Sequence, residues 1–255
     1  MTAPVFVLEP DELAHASVGG LVRVAGPEGR HAVAVRRLGV GERVDIVDGL
    51  GRRVDGEVVR VLDKQSLEVR VDAVTDLADP VPWVVVVQAL PKGERGELAV
   101  ELLTEVGVDE IVPWDAARCV TRWRGERADK ARRRWVDAAR AAGKQSRRAR
   151  FPDIADLATT ADVGARIAAA AVAIVLHEEA RTPIAAVAPP TTGEVVVVVG
   201  PEGGLTADEV AEFESAGART VRLGPTVLRT SSAGIAAVAA LLSASDRWAA
   251  GSVEG

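Results

Sequence analysis

One stretch of the sequence decides the fold of most of the chain: Glu194-Val195-Val196-Val197-Val198-Val199-Gly200-Pro201-Glu202-Gly203-Gly204-Leu205-Thr206. Its five consecutive valines are apolar on both faces, as is typical of a parallel strand covered by helices on each side. The glycines let the backbone approach a ligand closely, and Pro201 stiffens the turn. Thr206 and Glu209 have the spacing of a capping box. The stretch therefore predicts a strand, a glycine-rich loop and a helix.

The alternation of apolar strands and helices continues on both sides of this stretch and predicts an α/β fold with a parallel sheet. The predicted strands are Trp83–Leu90, Asp109–Val112, Val172–Leu176, Glu194–Val199 and Thr220–Leu223. The predicted helices are Glu94–Val106, Gly125–Ala142, Ile154–Ala170, Thr206–Ala216 and Ser231–Arg247.

Two further loops follow predicted strands, and they read Leu176-His177-Glu178-Glu179 and Leu223-Gly224-Pro225-Thr226-Val227-Leu228-Arg229-Thr230. Open α/β sheets bind ligands outside the carboxyl ends of their strands, so all three loops are expected at the ligand-binding edge. Two phosphate-binding alternatives do not fit. Neither Lys-Ser nor Lys-Thr follows Gly204, and no Gly-x-Gly-x-x-Gly opens a helix here. The loops therefore favour neither an NTPase nor a dinucleotide-binding protein.

The first 78 residues have a different pattern, with short alternating strands separated by turns. The predicted strands are Val5–Leu8, Leu21–Val24, Arg43–Asp48, Arg53–Val59 and Leu67–Val71, with a hairpin at Gly49-Leu50-Gly51 and a short helix at His31–Leu38. Gly26-Pro27-Glu28-Gly29 is interpreted as an ordinary turn. The prolines of Asp76–Pro82 exclude helix and central strand, so a linker is predicted between a small β-barrel (residues 1–78) and the α/β domain (residues 79–255).

The composition indicates a globular protein with an aliphatic core, since 48% of its 255 residues are hydrophobic but it has no Tyr and three Phe. Cys119 is the single cysteine, and the start of the sequence lacks the features of a signal peptide, so a cytoplasmic location is predicted. The longest apolar stretch, Ile167–Leu176, is too short for the ~20 residues of a membrane span. No histidine cluster indicates a metal site.

Positive charge is concentrated in one segment of an acidic chain. The whole chain has a net charge of −6, whereas Arg118–Arg150 contains 13 Lys or Arg against three acids, a segment charge of +10. Such segregation favours binding of a polyanion on one face. The alternative is a solvated helix face. Trp123 and Trp135 lie among these arginines and either stack on bases or pack in the core, and packing is favoured for Trp135.

The paired loops Val199–Thr206 and Leu223–Thr230 resemble the signature of the RsmE family of ribosomal-RNA uridine N3-methyltransferases. The resemblance extends from about Val5 to Trp248. Further matching segments are Gln88–Arg95, Glu105–Val108, Arg118–Val120, Gln145–Arg148, Leu176–Glu179 and His31–Arg37. At the amino end, Pro4-Val5 precede Phe6-Val7 where the family usually has an arginine.

This resemblance implies a trefoil-knotted SPOUT methyltransferase domain preceded by a PUA-like β-barrel that binds RNA. It implies S-adenosylmethionine as cofactor, bound in a bent shape by the three loops, 16S rRNA within the small ribosomal subunit as substrate, and a homodimer formed through the last helix. The implied cofactor-binding residues are Leu176, His177, Glu178, Val199, Gly200, Pro201, Glu202, Gly203, Leu223, Gly224, Thr226, Val227 and Leu228. The RNA-binding candidates are His31, Arg36, Arg37, Arg118, Arg122, Arg124, Arg147 and Arg148.

Arg229 is the leading catalytic candidate, because a fixed guanidinium stabilises the negative charge that develops on a deprotonated uracil. Its alternative roles are a phosphate clamp or a structural bond within the knot. Glu202 accepts a proton, binds ligand hydroxyls or satisfies loose N–H groups near a helix start, and the last role is favoured. Cys119 has either a pKa lowered by the neighbouring arginines or the inert character of a buried thiol.

Two other functions stay open at the level of sequence. The chain is either an RNA-binding or ribosome-assembly factor without turnover, or a methyltransferase of the same fold that acts on a different nucleotide. Cofactor binding distinguishes the first from an enzyme. Only the resemblance over the whole chain selects uridine, since a fold does not fix a substrate.

Overall fold

A computed structural model of the chain describes residues 2–249. Within this range the chain forms two compact units. The first comprises the chain up to Asp79 together with Gly143–Phe151, and the second comprises Pro80–Ala142 and the described chain from Pro152 onward. None of the helices between residues 2 and 249 has the length and apolar character needed to cross a membrane.

The first unit is built on a mixed five-stranded sheet. Its strands are β1 (Val5–Val7), β2 (Leu21–Val24), β3 (Arg43–Val47), β4 (Arg52–Asp63) and β5 (Ser66–Asp76). They lie in the order β1-β3-β4-β5-β2, with β1 parallel to β3 and the other neighbours antiparallel. The five predicted strands and the hairpin between β3 and β4 are confirmed. Strand β4 is longer than predicted at its hairpin end, which is exposed, whereas β5 is longer than predicted at its other end, where it continues to Asp76.

Both faces of this sheet are covered. On one face Phe6, Ile46 and Val54 belong to the main core of the unit. On the other face Val5, Val7 and Val47 pack with Ala149 and Phe151 of the Gly143–Phe151 segment. The alternation that predicts half-buried strands therefore distributes side chains between two apolar clusters.

The prediction of a turn at Gly26–Gly29 is wrong, because these residues begin helix α2. The first unit has helices α1 (Pro10–Leu13) and α2 (Gly26–Arg30), and α2 continues into a π-helical turn at His31–Val35. Pro27 stands in the first helical turn, where its missing N–H is tolerated. Gly29 is required there, since a Cβ would lie 2.1 Å from the carbonyl oxygen of Gln65.

The second unit contains a parallel six-stranded sheet. Its strands are β6 (Trp83–Ala89), β7 (Glu110–Trp114), β8 (Asp153–Ile154), β9 (Val172–Leu176), β10 (Glu194–Val199) and β11 (Arg219–Val221). They lie in the order β11-β9-β10-β6-β7-β8, and every pair is parallel. The five predicted strands and their parallel arrangement are confirmed. The two-residue β8 was not predicted, because so short a strand has no readable periodicity.

Six helices accompany the sheet: α3 (Arg95–Val106), α4 (Glu126–Gln145), α5 (Thr160–Ala169), α6 (Ala207–Ser215), α7 (Thr230–Leu242) and α8 (Asp246–Ala249). A 3₁₀ turn spans Ile184–Ala186. Two predicted helix bounds are wrong. The helix predicted from Ile154 starts only at Thr160, after a capping box formed by Thr159 and Asp162. The helix predicted over Ser231–Arg247 ends at Leu242, and Arg247 belongs to α8.

The valine strands predicted to be apolar on both faces form the centre of the core. Val84–Val87 and Val195–Val199 are all buried. Helix α7 packs closely against them and against α3, since a Cβ on Gly234 would lie 3.0 Å from Leu103 and 3.5 Å from Val199. Small residues in α7 therefore serve packing within the chain.

Candidate functional site

A cavity of about 650 Å³ opens at the carboxyl ends of β9, β10 and β11. The three loops predicted to meet there do so. Every residue that the sequence assigned to cofactor binding lines the cavity, as does the catalytic candidate: Leu176, His177, Glu178, Val199, Gly200, Pro201, Glu202, Gly203, Leu223, Gly224, Thr226, Val227, Leu228 and Arg229. Which of these groups contact a ligand stays a prediction.

The loop after β10 turns tightly, and its glycines have steric causes. The Gly204 N–H donates to the Pro201 carbonyl at 2.9 Å, and Gly204 has a φ of +71°, which L side chains rarely adopt. A Cβ on Gly203 would lie 3.1 Å from the Cβ of Arg118, and one on Gly200 would lie 3.1 Å from the side chain of Leu205. The loop therefore presents backbone to the cavity.

The predicted capping box at the start of α6 is confirmed. The Thr206 hydroxyl accepts from the Glu209 N–H at 3.1 Å, and Glu209 Oε2 accepts from the Thr206 N–H at 2.8 Å. Glu209 has a second role that the sequence did not predict, because its Oε1 accepts from the Ala117 N–H at 2.8 Å. This buried carboxylate therefore joins the α6 start to the loop after β7.

Glu202 is engaged by the segment between β6 and α3. Its Oε1 accepts from the Lys92 N–H at 3.1 Å and lies 3.7 Å from Nη1 of Arg95. The N–H group that it satisfies is therefore that of Lys92. Sequence reasoning missed Arg95 as a residue lining the cavity. The sequence offered one indication of this position, because Arg95 follows strand Trp83–Ala89 and so is expected at the same edge of the sheet as the other loops.

Arg229 is exposed and lines the cavity directly before α7. Its backbone is the N-cap of α7, where its carbonyl accepts from the N–H groups of Ser232 and Ala233. Within residues 2–249 its guanidinium has no hydrogen bond or ion pair. His177, by contrast, is held locally, because its Nδ1 accepts from the Glu179 N–H at 3.2 Å. The guanidinium of Arg229 therefore remains accessible from the cavity.

The arginines predicted to bind RNA fall into two groups in the second unit. Arg118 and Arg122 donate to backbone carbonyls of the unit itself. Arg124 is exposed, as are four cations of α4 that the sequence did not single out, Arg127, Lys130, Arg133 and Arg134. In the first unit, Arg36, Arg37 and Arg147 are exposed, Arg148 is half-buried with an interaction partner, and His31 packs edge-on against Phe6.

Both tryptophans of the basic segment are core residues. Trp123 is 9% and Trp135 4% exposed, and their rings meet edge to face with centroids 5.0 Å apart. The packing predicted for Trp135 is confirmed, and the same packing applies to Trp123. Neither indole is available as a platform for an unpaired base.

Cys119 has the character of an inert buried thiol. Burial raises the pKa of the Cys119 thiol, which outweighs the nearby positive charge of Arg122. Because a raised pKa leaves less thiolate at a given pH, we expect iodoacetamide at pH 8 to alkylate Cys119 more than about tenfold more slowly in the native than in the denatured chain. Mass spectrometry of the single cysteine gives both rates, and equal rates would contradict this assignment.

Residues 2–249 contain no group of three or more His, Cys, Asp or Glu side chains placed to hold a metal ion. The polar groups that line the described cavity are backbone groups, carboxylates, guanidinium groups, the His177 imidazole and the hydroxyls of Thr226 and Thr230.

Comparison with known proteins agrees with this geometry. Sequence models of two families match the chain: the RNA methyltransferase domain at residues 78–242 and the RNA methyltransferase PUA domain at residues 24–72. Fold and site therefore define an RNA methyltransferase. Ribosomal RNA small subunit methyltransferase E of Mycobacterium bovis is 46% identical over 234 residues, which cover 90% of this chain and 89% of that protein. The chain belongs to the ribosomal RNA small subunit methyltransferase E family.

Solved structures support the same assignment. The ribosomal RNA small subunit methyltransferase E of Neisseria gonorrhoeae bound to S-adenosyl methionine has a TM-score of 0.81 and 26% identity, covering 95% of this chain and 98% of that one. A putative methyltransferase of Legionella pneumophila with bound SAM has a TM-score of 0.80 and 26% identity, covering 96% and 99%. The predicted fold class, an α/β SPOUT methyltransferase domain with a parallel sheet preceded by a PUA-like domain, is confirmed, and the trefoil knot stays a prediction.

Proposed function

We propose that this chain transfers the methyl group of S-adenosylmethionine to N3 of a uridine in 16S rRNA of the small ribosomal subunit. The observation that carries the proposal is the convergence of three loops, each following a parallel strand, on one cavity of about 650 Å³. Ligands of open α/β sheets bind at this edge. The family relationship supports both the cofactor and the ribosomal RNA substrate.

The lining of the cavity suits the proposed cofactor. The side chains of Leu176, Val199, Leu223 and Leu228 offer apolar surface for a base. The carboxylates of Glu178, Glu179 and Glu202 offer negative charge to a cofactor that carries a sulfonium and an amino group. The glycines described above bring main-chain donors and acceptors within reach. When bound, S-adenosylmethionine supplies an electrophilic methyl group.

Arg229 is the proposed catalytic residue. Uridine N3 becomes a nucleophile when its proton passes to water, and the negative charge then spreads over the neighbouring carbonyl oxygens. The N3–methyl bond would form as the sulfonium–methyl bond breaks, with S-adenosylhomocysteine as the leaving product. A guanidinium that has no partner among the described residues 2–249 stabilises that charge as it develops. Alignment of N3 with the methyl carbon supplies a further part of the rate enhancement. Because Glu202 Oε1 already accepts from Lys92 and lies near Arg95, its proposed role is to hold the loop and the cofactor.

The substrate uridine is proposed to be unpaired, since its N3 edge is occupied in Watson–Crick pairing. Exposed cations provide contacts to the surrounding phosphates: Arg124, Arg127, Lys130, Arg133 and Arg134 in the second unit, and Arg36, Arg37 and Arg147 in the first. Each phosphate contact releases counterions, so affinity for RNA is expected to fall steeply with salt. His31 and Arg148 rank below these cations as candidates, because each already has an interaction partner.

The assembly proposed is a homodimer formed through α7. Ala233, Gly234 and Ala237 of this helix are buried within the chain, whereas Ile235, Ala236, Ala239 and Ala240 remain half-buried and form a small-residue face for a second copy. A C2 dimer places the same patch on both subunits. Residues 1–78 and 79–255 are proposed as the two domains, and the cytoplasm, where ribosomal subunits reside, as the location.

Two measurements on purified full-length chain test this function. Isothermal titration with S-adenosylmethionine is expected to show saturable binding. Incubation with tritiated cofactor and small ribosomal subunits from cells lacking the activity is expected to label RNA. Binding of RNA without cofactor binding or transfer would instead indicate an assembly factor without turnover. Sedimentation velocity tests the dimer separately.

A further inference from the structure

Arg118 contacts the glycine-rich loop and lines the cavity together with it. Its Nη1 donates to the carbonyl oxygens of Gly203 and Leu205, each at 3.1 Å. The aliphatic part of the side chain lies against the same loop, because a Cβ on Gly203 would come within 3.1 Å of the Arg118 Cβ. One guanidinium nitrogen therefore binds two carbonyl groups of the loop, although Arg118 is 85 residues from Gly203 and 87 residues from Leu205 in sequence.

A second contact joins the same two loops. Ala117, the neighbour of Arg118, donates its N–H to Oε1 of the buried Glu209, whose other oxygen caps α6 directly after the glycine-rich loop. The loop is thus held at its carbonyl groups by Arg118 and at its helical end through Glu209. Both contacts originate in the segment Asp115–Arg118.

That segment is itself held by Arg122. The guanidinium of Arg122 donates to the Ala116 carbonyl at 3.0 Å, to the Ala117 carbonyl at 2.8 Å and to the Asp115 carboxylate. With five donors in a fixed plane, an arginine can bind several acceptors of one loop at once. Sequence reasoning assigned both arginines to RNA, but their donors face the protein.

We propose that Arg118 is a positioning residue, which holds Gly200–Leu205 in the conformation that accepts the cofactor, and that Arg122 orders the segment that carries it. This inference rests on the proposed function, since it concerns the affinity of the same cavity for its cofactor. Two arginines of the basic segment, Arg118 and Arg122, are thereby assigned to support of the cofactor loop through their bonds to backbone carbonyls, and Arg124 is assigned to RNA.

The test compares Arg118→Met, which keeps an aliphatic stem but no donor, with Arg118→Lys and Arg124→Met in the full-length chain. For Arg118→Met we expect Kd and KM for S-adenosylmethionine to rise about tenfold or more, because two charge-assisted hydrogen bonds are lost. RNA affinity and kcat at saturating cofactor are expected to stay within about threefold of wild type. In free energy such a change is less than half of that for a tenfold change in affinity. Arg118→Lys is expected to restore much of the affinity, since a single nitrogen makes both bonds.

Arg124→Met is the matched control, for which we expect the opposite result: weaker RNA binding and unchanged affinity for S-adenosylmethionine. Amide hydrogen exchange of residues 200–206, measured without cofactor, tests the loop independently of the ligand. We expect Arg118→Met to raise the exchange rate of these residues and to change the midpoint of thermal unfolding little. Unchanged cofactor affinity and unchanged exchange in Arg118→Met, with weaker RNA binding, would overturn the inference. If the wild-type chain fails to bind S-adenosylmethionine, the proposed function fails, whereas the exchange experiment still decides whether Arg118 holds the loop.

Discussion

Replacement of Arg229 by methionine is expected to reduce kcat for methyl transfer by about 10²–10³-fold, the usual effect of removing one group that stabilises developing charge. The affinity for S-adenosylmethionine is expected to change little. The backbone of Arg229 is the N-cap of α7, so its guanidinium reaches the cavity from the start of that helix. Single-turnover transfer to small ribosomal subunits at saturating cofactor measures this effect.

The control for Arg229→Met is Arg219→Met, which removes an exposed arginine of β11 that does not line the cavity. It is expected to retain wild-type turnover. An unchanged kcat with a raised KM for RNA in Arg229→Met would assign Arg229 to phosphate binding. A large fall in thermal stability would assign it to a structural bond, and either result would contradict the catalytic role.

Replacement of Arg247 by methionine is expected to lower the free energy of unfolding by about 3–5 kcal/mol, because a buried carboxylate then loses its charged partner. Arg247 Nη1 lies 2.5 Å from Oδ2 of Asp109, and the Asp109 side chain is completely buried. The same guanidinium donates to the carbonyl oxygens of Pro82 and Gly107 at 3.0 and 2.9 Å. The short helix α8 therefore fastens the end of the described chain to the segments that lead into β6 and β7.

Urea denaturation followed by circular dichroism measures this second effect, with Arg219→Met again as the exposed control. The double variant Asp109→Asn/Arg247→Met separates the two contributions, and it is expected to be less destabilised than Arg247→Met because the buried site then holds no unpaired charge. If the free energy of unfolding of Arg247→Met falls by less than about 1 kcal/mol, the pair contributes no more than an exposed salt bridge, and the expectation is contradicted.

The elements that sequence predicted well are those whose signal is local. Val195–Val199 has no polar face, so it requires helices on both sides of its sheet, and that requirement gives the parallel architecture. Thr206 and Glu209 mark the start of α6 within four residues. The meeting of the three loops follows from strand direction alone, because parallel strands place their carboxyl ends at one edge.

The elements that sequence did not predict depend on distant partners. Lys92 and Glu202 are 110 residues apart, and Ala117 and Glu209 are 92 apart, so no local pattern connects them. The helical start at Gly26 was missed because Gly-Pro usually marks a turn, whereas the packing of Gly29 against Gln65 decides the structure there. Arg118 was assigned to RNA because its charge is visible in the sequence and its acceptors are not.

Methylation of one uridine at N3 is tested most directly by identifying the modified nucleoside. Purified chain is incubated with labelled S-adenosylmethionine and small ribosomal subunits from cells that lack the activity, and the 16S rRNA is then digested for nucleoside and fragment mass spectrometry. We expect N3-methyluridine at a single position, formed by the wild-type chain and much more slowly by Arg229→Met. A different methylated nucleoside, or no transfer to subunits under conditions in which the cofactor binds, would contradict it.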